Sequence, residues 1–413
     1  MPQPLVLLGL GGSAASSEFT LAQIAFTHPV ILAATTAPAW ARPHLARHLC
    51  VDPADEAATT AAVKALAATH DLGGILTYTG EHLVTAARIA QQLQLPGPPT
   101  KALESCADRA ELRAKLARHK VPVPVWAQAE SPEAAVTVAD GIGYPVVIRS
   151  RSGSASSGQA DRGSEVAGMC ARVRSHAAPN HPLPRGDVLV ERRLDGPQVA
   201  AETVVLESGD VQIVAITRTT LGPPPARQAV RHCVYAHDAL LHNRLLRQTV
   251  ARAVEALGIT LGVLHIEMTL TSRGPRITDI SAHLADDLIP LLVKRATGVN
   301  LPRIAADLAV GRLPNLAPTR QRAAAVHFAY PEVSGRLQHV SVTTPGSGPL
   351  VDRTAVTREP GHQVETAAQA TAQDRLAHWV VLGAEAGDCH ALLDQVMYDL
   401  QADIAPTAAV RAA

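Results

Sequence analysis

Lysine is almost missing from this 413-residue chain: it occurs at Lys64, Lys101, Lys115, Lys120 and Lys294, and nowhere from 121 to 293. Any positive charge needed in that middle stretch must come from arginine, whose planar fork grips oxyanions differently from a lysine point charge. Cysteine is sparse as well. Cys50, Cys106, Cys170, Cys233 and Cys389 are widely spaced and form no CxxC, which excludes a disulfide framework and a cysteine zinc site and suits reduced thiols in a cytoplasmic setting. There is no apolar run long enough to span a bilayer, and the start "MPQPLVLLGLGGSAASSEF" lacks a basic leader region, so no membrane partner is expected. Neither sign of charge is in excess, with 37 Lys+Arg against 37 Asp+Glu. That balance excludes a broad polyanion-binding surface, and with it nucleic acid as the expected partner.

What is present is an ordinary globular composition, long enough for two or three domains. LVLL (5–8), VILAA (30–34) and GGILTYTG (73–80) read as strands alternating with helices, one of them over about 56–68. This pattern predicts an α/β parallel sheet over residues 1–100. The first turn, with Gly9, Gly11, Gly12 and Ala14, approaches a dinucleotide fingerprint. The second strand ends in AATTAPAW without the acid that would hold a ribose, so a tight strand-to-helix turn is favoured over an NAD site. A proline-rich passage then leads into an amphipathic helix. Beyond it come the strand-and-flap GYPVVIRSRSGSASSG, the strand VERRL, an antiparallel segment, a helix at RLLRQTVARAVEALGI, and a hairpin turning at Ser272-Arg273-Gly274-Pro275. The tail past about 312 reads as short strands and one last helix, AGDCHALLDQVMYDLQADI.

Several chemistries fail on their own residues. The flap has glycines at 153 and 158 but Gln159-Ala160 where a P-loop needs Lys-Ser/Thr. No G-x-S-x-G elbow occurs. HIE at 265–267 has no nearby third zinc ligand. The hairpin is more informative: Glu267 lies on one strand and Asp279 on the next, and period-2 alternation puts Asp279, Ser281 and His283 on one face. Opposed carboxylates repel unless a cation separates them, and oxygen-only ligands favour Mg²⁺ carrying nucleotide phosphates. A solvated charged face is the alternative for the hairpin taken alone.

The order of these pieces resembles the ATP-grasp superfamily, in particular its carboxylate–amine (L-amino acid, dipeptide-forming) ligases. It runs from Asp108-Arg109 through the Ser/Gly flap, VERRLDGPQ and HIEMTL to GPRITDISAHLADD, over nearly the whole chain. The resemblance implies a mixed α/β and α+β fold: a Rossmann-like domain at 1–100, an ATP-grasp core at 101–312 with a lid at about 127–190, and a C-terminal α+β domain at 313–413. It implies ATP and Mg²⁺, small-molecule carboxylate and amine substrates, and a homodimer as the common assembly among similar ligases. Arg109 and Arg149 would take the place of phosphate-binding lysines. Ser154, Ser156 and Ser157 of the flap would cover the triphosphate. Glu191, Arg193 and Leu194 would meet the adenine, and Gln198 the ribose. Glu267, Asp279 and Ser281 would hold the metal, and His283 stands where an arginine usually steadies the acyl phosphate. Residues 222–241 fall where relatives carry a substrate loop, making Arg227, Arg231, His232 and His237 candidate carboxylate binders. Arg218 and Arg231 join His283 as candidate catalytic residues.

At these positions the chain departs from the usual pattern: arginine for both lysines, Gln198 for an acid, Ser281 for asparagine, His283 for arginine, and Ala285-Asp286 for a Gly-Gly-like turn. Two readings follow. Either arginine supplies the same charge and the chain is an ATP-dependent amide-forming ligase, with specialised metabolism as one setting for it, or the frame has become a non-catalytic or ATP-independent binder of a small molecule or partner.

Overall fold

The computed structural model describes residues 2–151, 157–175, 188–207, 209–342 and 350–406. The chain opens with β1 (Leu5–Leu8), α1 (Ala14–Ala25), β2 (Val30–Ala34), β3 (Arg47–Cys50), α2 (Glu56–Ala67), β4 (Gly74–Leu76) and α3 (Leu83–Gln92). The four strands pair in parallel in the order β3-β2-β1-β4. Every residue of β1 is buried, as a central parallel strand covered on both faces must be. The edge strand β3 carries Arg47 and His48 and is mostly exposed, so it has no apolar signature in the sequence. The expected strand at 73–80 shrinks to 74–76.

One amphipathic helix was expected after the prolines; the structure has two, α4 (Thr100–Ala107) and α5 (Arg109–Arg118). The break is Asp108, whose carboxylate accepts from the N–H groups of Ala110 and Glu111 and so caps α5. Next comes a separate α+β unit: β5 (Trp126–Ala129), α6 (Pro132–Ile142), β6 (Val146–Ser150), β7 (Ser157–Ala160), α7 (Gly163–Ser175) and β8 (Val188–Arg192). Its antiparallel sheet runs β5-β8-β6-β7, and a small core of its own packs Val146, Ile148, Val188 and Val190 against Ala135, Ala139, Val166 and Cys170.

The remainder is built on one large sheet. The elements are β9 (Gln198–Val205), β10 (Val211–Leu221), β11 (Ala229–Tyr235), α8 (Arg244–Leu257), β12 (Gly262–Thr271), β13 (Gly274–Ser281), α9 (Ile289–Thr297), α10 (Leu301–Ala309), β14 (Ala323–Ala329), β15 (Gly335–Val342), β16 (Val351–Val356), β17 (Gln363–Val364), β18 (Ala377–Gly383), α11 (Ala386–Val396) and β19 (Leu400–Pro406). Eight of the strands form one sheet, β13-β12-β9-β10-β11-β14-β18-β16, and β17-β15-β19 form a small satellite. The segment expected as a loop at 222–241 contains β11, paired on both sides with β10 and β14. Its alternating AVRHCVY has the period of a strand. The last helix stops at Val396, and Leu400–Pro406 returns as a strand.

Helix α8 shows how the core side is sealed. Leu246, Val250, Ala253, Val254 and Leu257 recur on one face and are buried, as an amphipathic helix over a sheet requires. They share a core with Ile266, Met268, Ile277 and Ile280 of the hairpin. Asn243 caps the start of α8 and Gly258, at φ +71°, ends it in the left-handed conformation that glycine adopts without penalty. With that face filled, the opposite face of β9, β12 and β13 is left for polar side chains.

Candidate functional site

The polar face is an ordered lattice. Register places His265 opposite both Glu202 and Ser281, Glu267 opposite Ala200 and Asp279, and Thr269 opposite Gln198. Gln198 and Thr269 satisfy each other reciprocally at 2.9 and 3.1 Å. The buried Glu202 receives a bond from Thr217 at 2.7 Å and lies 3.0 and 3.1 Å from Nδ1 of His265. Nε2 of the same ring is 3.6 Å from Glu267. Burial disfavours the charged imidazole, but the carboxylates of Glu202 and Glu267 overcome it and raise the pKa of His265 well above its ordinary value.

A bulge shapes this face. Glu267 pairs with Asp279 but Met268 pairs with Ile277, so Thr278 is an extra residue. The shift sends both Ile277 and Ile280 into the core while Asp279 keeps the polar side. The carbonyl of Thr278 receives a hydrogen bond from Nη2 of Arg113.

Arginines meet these acids. Arg109, one residue past the Asp108 cap, is buried and donates from Nη2 and Nε to one oxygen of Asp279 at 2.7 and 3.2 Å, and from Nη1 to the carbonyl of Ser150 at 3.1 Å. Arg113 is fully buried and donates to Glu191 at 2.7 Å, while Arg149 stands 3.2 Å from the other oxygen of Glu191. Burial alone would raise the pKa of Asp279, yet Arg109, Arg113 and Arg149 bring it down to about 2. Arg113 had no expected role. Its signal was an arginine four residues after Arg109, on the same side of α5.

Of the other expected residues, Arg193 pairs with Asp195 at 2.6 Å and its N–H bonds to the carbonyl of Pro145. Leu194 follows it, half-buried, between β8 and β9. Ser157 opens β7 opposite Arg149; Ser154 and Ser156 lie outside the described residues. His283 follows the hairpin, with Nδ1 2.7 Å from the carbonyl of Leu284.

Arg218 and Arg231 are not brought to this face. Arg218 grips Asp238 at 2.6 and 2.9 Å, and Arg231 reaches His390 and Asp394 of α11 at 3.0 and 2.7 Å. Alternation explains both: Thr217 is the neighbour of Arg218 that reaches Glu202, and His232 is the neighbour of Arg231 that faces inward. Arg227 reaches Gln159 at 3.4 Å, and His237 packs its ring edge-on to Tyr235.

A cleft of about 820 Å³ adjoins the hairpin. Asp279, Ser281 and His283 line it together with Gly11, Ser13, Ser16 and Tyr78 of the first domain and Phe328, Arg358, Arg375 and His378 of the last sheet strands and loops. Arg375 donates through two nitrogens to Asp287, donates to Tyr330 at 2.9 Å, and lies 3.7 Å over the ring of Phe328. His232 adds a contact to Asp287 at 3.3 Å. Asp287 (φ +57°) and Leu288 (φ +62°) follow one another in the left-handed region, a strained turn that the arginine clamp holds in place. The expected Gly-Gly-like turn at Ala285-Asp286 thus falls two residues earlier than the left-handed pair.

Among the described residues, no group of three or more His, Cys, Asp or Glu is placed to hold a metal ion by itself. Glu267 and Asp279, with the Ser281 hydroxyl one rung away, are an oxygen-only donor set that fits a hard cation able to bring further oxygen ligands on a phosphate. No helix among the described residues is long and apolar enough to cross a membrane.

Residues 108–315 match the family model for the carbamoyl-phosphate synthase L chain, ATP binding domain, and residues 28–97 match that for the ATP-grasp N-terminal domain. The uncharacterized protein y4rH of Sinorhizobium fredii is 30% identical over 331 residues, 76% of this chain and 65% of that one. The carbamoyl phosphate synthase large chain of Corynebacterium glutamicum is 27% identical over 252 residues, 58% of this chain and 21% of its own length. This chain therefore spans less than two thirds of the first relative and about a fifth of the second. Among solved structures, the L-amino acid ligase from Bacillus licheniformis superposes with a TM-score of 0.81 at 19% identity, covering 98% of this chain and 99% of that one. Phosphoribosylglycinamide synthetase from Anaerococcus prevotii gives 0.72 at 16% identity over 98% and 100%.

Proposed function

From the premise that this chain belongs to the ATP-grasp superfamily, a family of ligases, we propose that it is an ATP-dependent ligase joining an amino acid or related carboxylate to an amine. The observation that carries this reading is the juxtaposition of Glu267 and Asp279 in register on the polar sheet face, with Arg109, Arg113 and Arg149 beside them.

In the proposed reaction the substrate carboxylate attacks the γ-phosphorus of ATP. An O–P bond forms, the bond to the β-phosphate oxygen breaks, and ADP leaves. The amine nitrogen then attacks the acyl carbon of the acyl phosphate, phosphate departs, and the nitrogen gives up a proton. Glu267, Asp279 and Ser281 would hold Mg²⁺, which supplies neutralisation of phosphate charge. Arg149 and Arg109 would meet phosphate oxygens, with their forks suited to bidentate contact. Glu191 holds Arg149 and the neighbouring Arg113 in place, and His283 stands at the junction of hairpin and cleft. The protein's contribution is positioning and charge neutralisation.

The test is release of ADP and phosphate with ATP, Mg²⁺, a pool of amino acids and a pool of amines. Release that needs both a carboxylate and an amine is expected. Calorimetry showing no nucleotide binding with Mg²⁺ present would sink the proposal.

The commitment of Asp279 to Arg109 favours a second reading, an ATP-independent relative that uses the cleft only to bind. There the acid is already neutralised from within. Under this reading ATP leaves thermal stability unchanged, whereas a ligand of the folded state raises it by mass action.

A further inference from the structure

The glycine turn and the start of α1 remain without a role in the chemistry above, although they line the cleft. Ser13 sits at the N-cap of α1 with extended backbone, and its hydroxyl caps no N–H. The first backbone bonds of the helix run from Ser16 and Ser17 to the carbonyl of Ser13. The N–H groups of Gly12, Ser13, Ala14 and Ala15 thus find no backbone acceptor among the described residues. Such an end, twelve residues of aligned dipoles behind it, attracts anions.

A second observation points the same way. Tyr78 is 6% exposed, lines the same cleft, and its hydroxyl has no hydrogen-bond partner. The edge of its ring, at Cε2, lies 3.7 Å from where a side chain on Gly11 would begin. Gly11, at φ +66°, gives the turn a left-handed residue, and a side chain there would begin 3.1 Å from Cγ2 of Thr79 and 3.7 Å from the Ser17 hydroxyl. Across the cleft, Nε2 of the buried His378 is also without a partner. Glu18, in the second turn of α1, is 3.6 Å from Arg353, which donates to the carbonyl of Ala15 at 3.3 Å.

We infer that the start of α1, with Gly11, Gly12, Ser13 and Tyr78, is an oxyanion subsite for a second acidic group on the substrate, distinct from the carboxylate that reacts. The donors are neutral N–H and O–H groups, the chemistry that holds a carboxylate or phosphoryl oxygen at a helix start. The hairpin wall with Asp279, Ser281 and His283 lines the same cleft, so one small molecule spans both. The substrate class is a carboxylate bearing a second carboxylate or a phosphoryl group. This rests on the ligase reading for the hairpin end but not for the subsite itself.

The probes are succinate, acetate and inorganic phosphate, followed by thermal shift and calorimetry with and without ADP and Mg²⁺. Gly12→Asp places a resident carboxylate at the helix start; its Cβ comes within 2.6 Å of the Ser16 hydroxyl, which turns away by giving up its bond to the Ser13 carbonyl, and its other neighbours lie at 3.8 Å. Gly12→Asn is the neutral control, and Tyr78→Phe removes one donor. Wild-type protein should bind succinate or phosphate more tightly than acetate, with binding weakened at least about tenfold in Gly12→Asp and several-fold in Tyr78→Phe, and nearly retained in Gly12→Asn. Preference for succinate assigns a carboxylate and preference for phosphate a phosphoryl group. An unchanged ADP response in each variant shows that the fold and nucleotide region stand. Equal responses to the oxyanions in wild type and Gly12→Asp, or none in wild type, overturn the subsite even when ADP binds. Loss of ADP binding in wild type instead strikes the ligase reading alone.

Discussion

Arg109 spends two of its N–H groups on a single oxygen of Asp279, at 2.7 and 3.2 Å, in a place where both side chains are largely shielded from water. The other oxygen accepts the N–H of Ile280 at 3.1 Å. A pair of this kind stabilises only while both members are present, because either charge left alone is buried without compensation.

Arg109→Leu is therefore expected to lower unfolding free energy by about 3 kcal/mol, and Asp279→Leu by a similar amount. The double variant should recover most of the loss, since no lone charge remains. Urea unfolding of all four proteins measures the cycle; simple additivity of the two losses would show that the pair carries no coupling. Asp279→Asn should accordingly harm stability as well as turnover.

Acid should act in two stages. Burial, with nearby arginines, lowers His327 and His378 to about 4 from 6.5. The unfolded chain thus binds protons that the folded chain refuses, and stability present above 6.5 is lost as pH falls toward 4. Asp279, at about 2 against 3.8 unfolded, adds a second loss between about 4 and 2. His378→Asn should flatten the first stage in urea midpoints measured against pH. A slope unchanged by that substitution would exclude His378 as a contributor.

The clamp of Arg375 on Asp287 should show strong coupling. Arg375→Lys keeps the charge but cannot make two parallel bonds, reach Tyr330 and cover Phe328 together. In a cycle with Asp287→Asn, a coupling of about 2 kcal/mol is expected from chemical denaturation. Near-zero coupling would mean that packing on Phe328, rather than the ion pair, fixes the left-handed turn at 287 and 288.

Two glycines separate hard from soft contacts. A Cβ on Gly74 would lie 2.0 Å from the carbonyl oxygen of Ala309, and one on Gly158 2.0 Å from the sulfur of Met169. Gly74→Ala must push a helix backbone and should cost about 3 kcal/mol, whereas Met169 can change rotamer and Gly158→Ala should cost about 1 kcal/mol. Thermal unfolding of the two variants ranks them; the reverse order would contradict the contact argument.

The parts of the fold legible in the sequence were those with a period of their own. Buried runs such as LVLL and the face of α8 announced themselves, and so did the two strands carrying Glu267 and Asp279. Edge strand β3 could not, since Arg47 and His48 look like loop. The strand β11 was masked by the prolines before it and by its histidines and arginine. At the site, pairing Glu267 with Asp279 needed only the hairpin register. The bulge at Thr278 and the partnership of Arg113 with Glu191 depend on three-dimensional packing between α5 and two separate sheets. The assignment of Arg218 and Arg231 followed residue type, while strand alternation turned both away.

Because β11 and β14 are neighbours in the eight-stranded sheet, the hairpin that carries Asp279 and the wall that carries Arg375 are mechanically a single plate. A chimera spliced at 312 with a foreign tail would have to match five cross-strand partners from Arg231 to Tyr235 or leave the edge of β11 raw. The last hundred residues are in that sense no interchangeable cartridge: altering what they recognise calls for piecemeal replacement of side chains on a plate that stays whole.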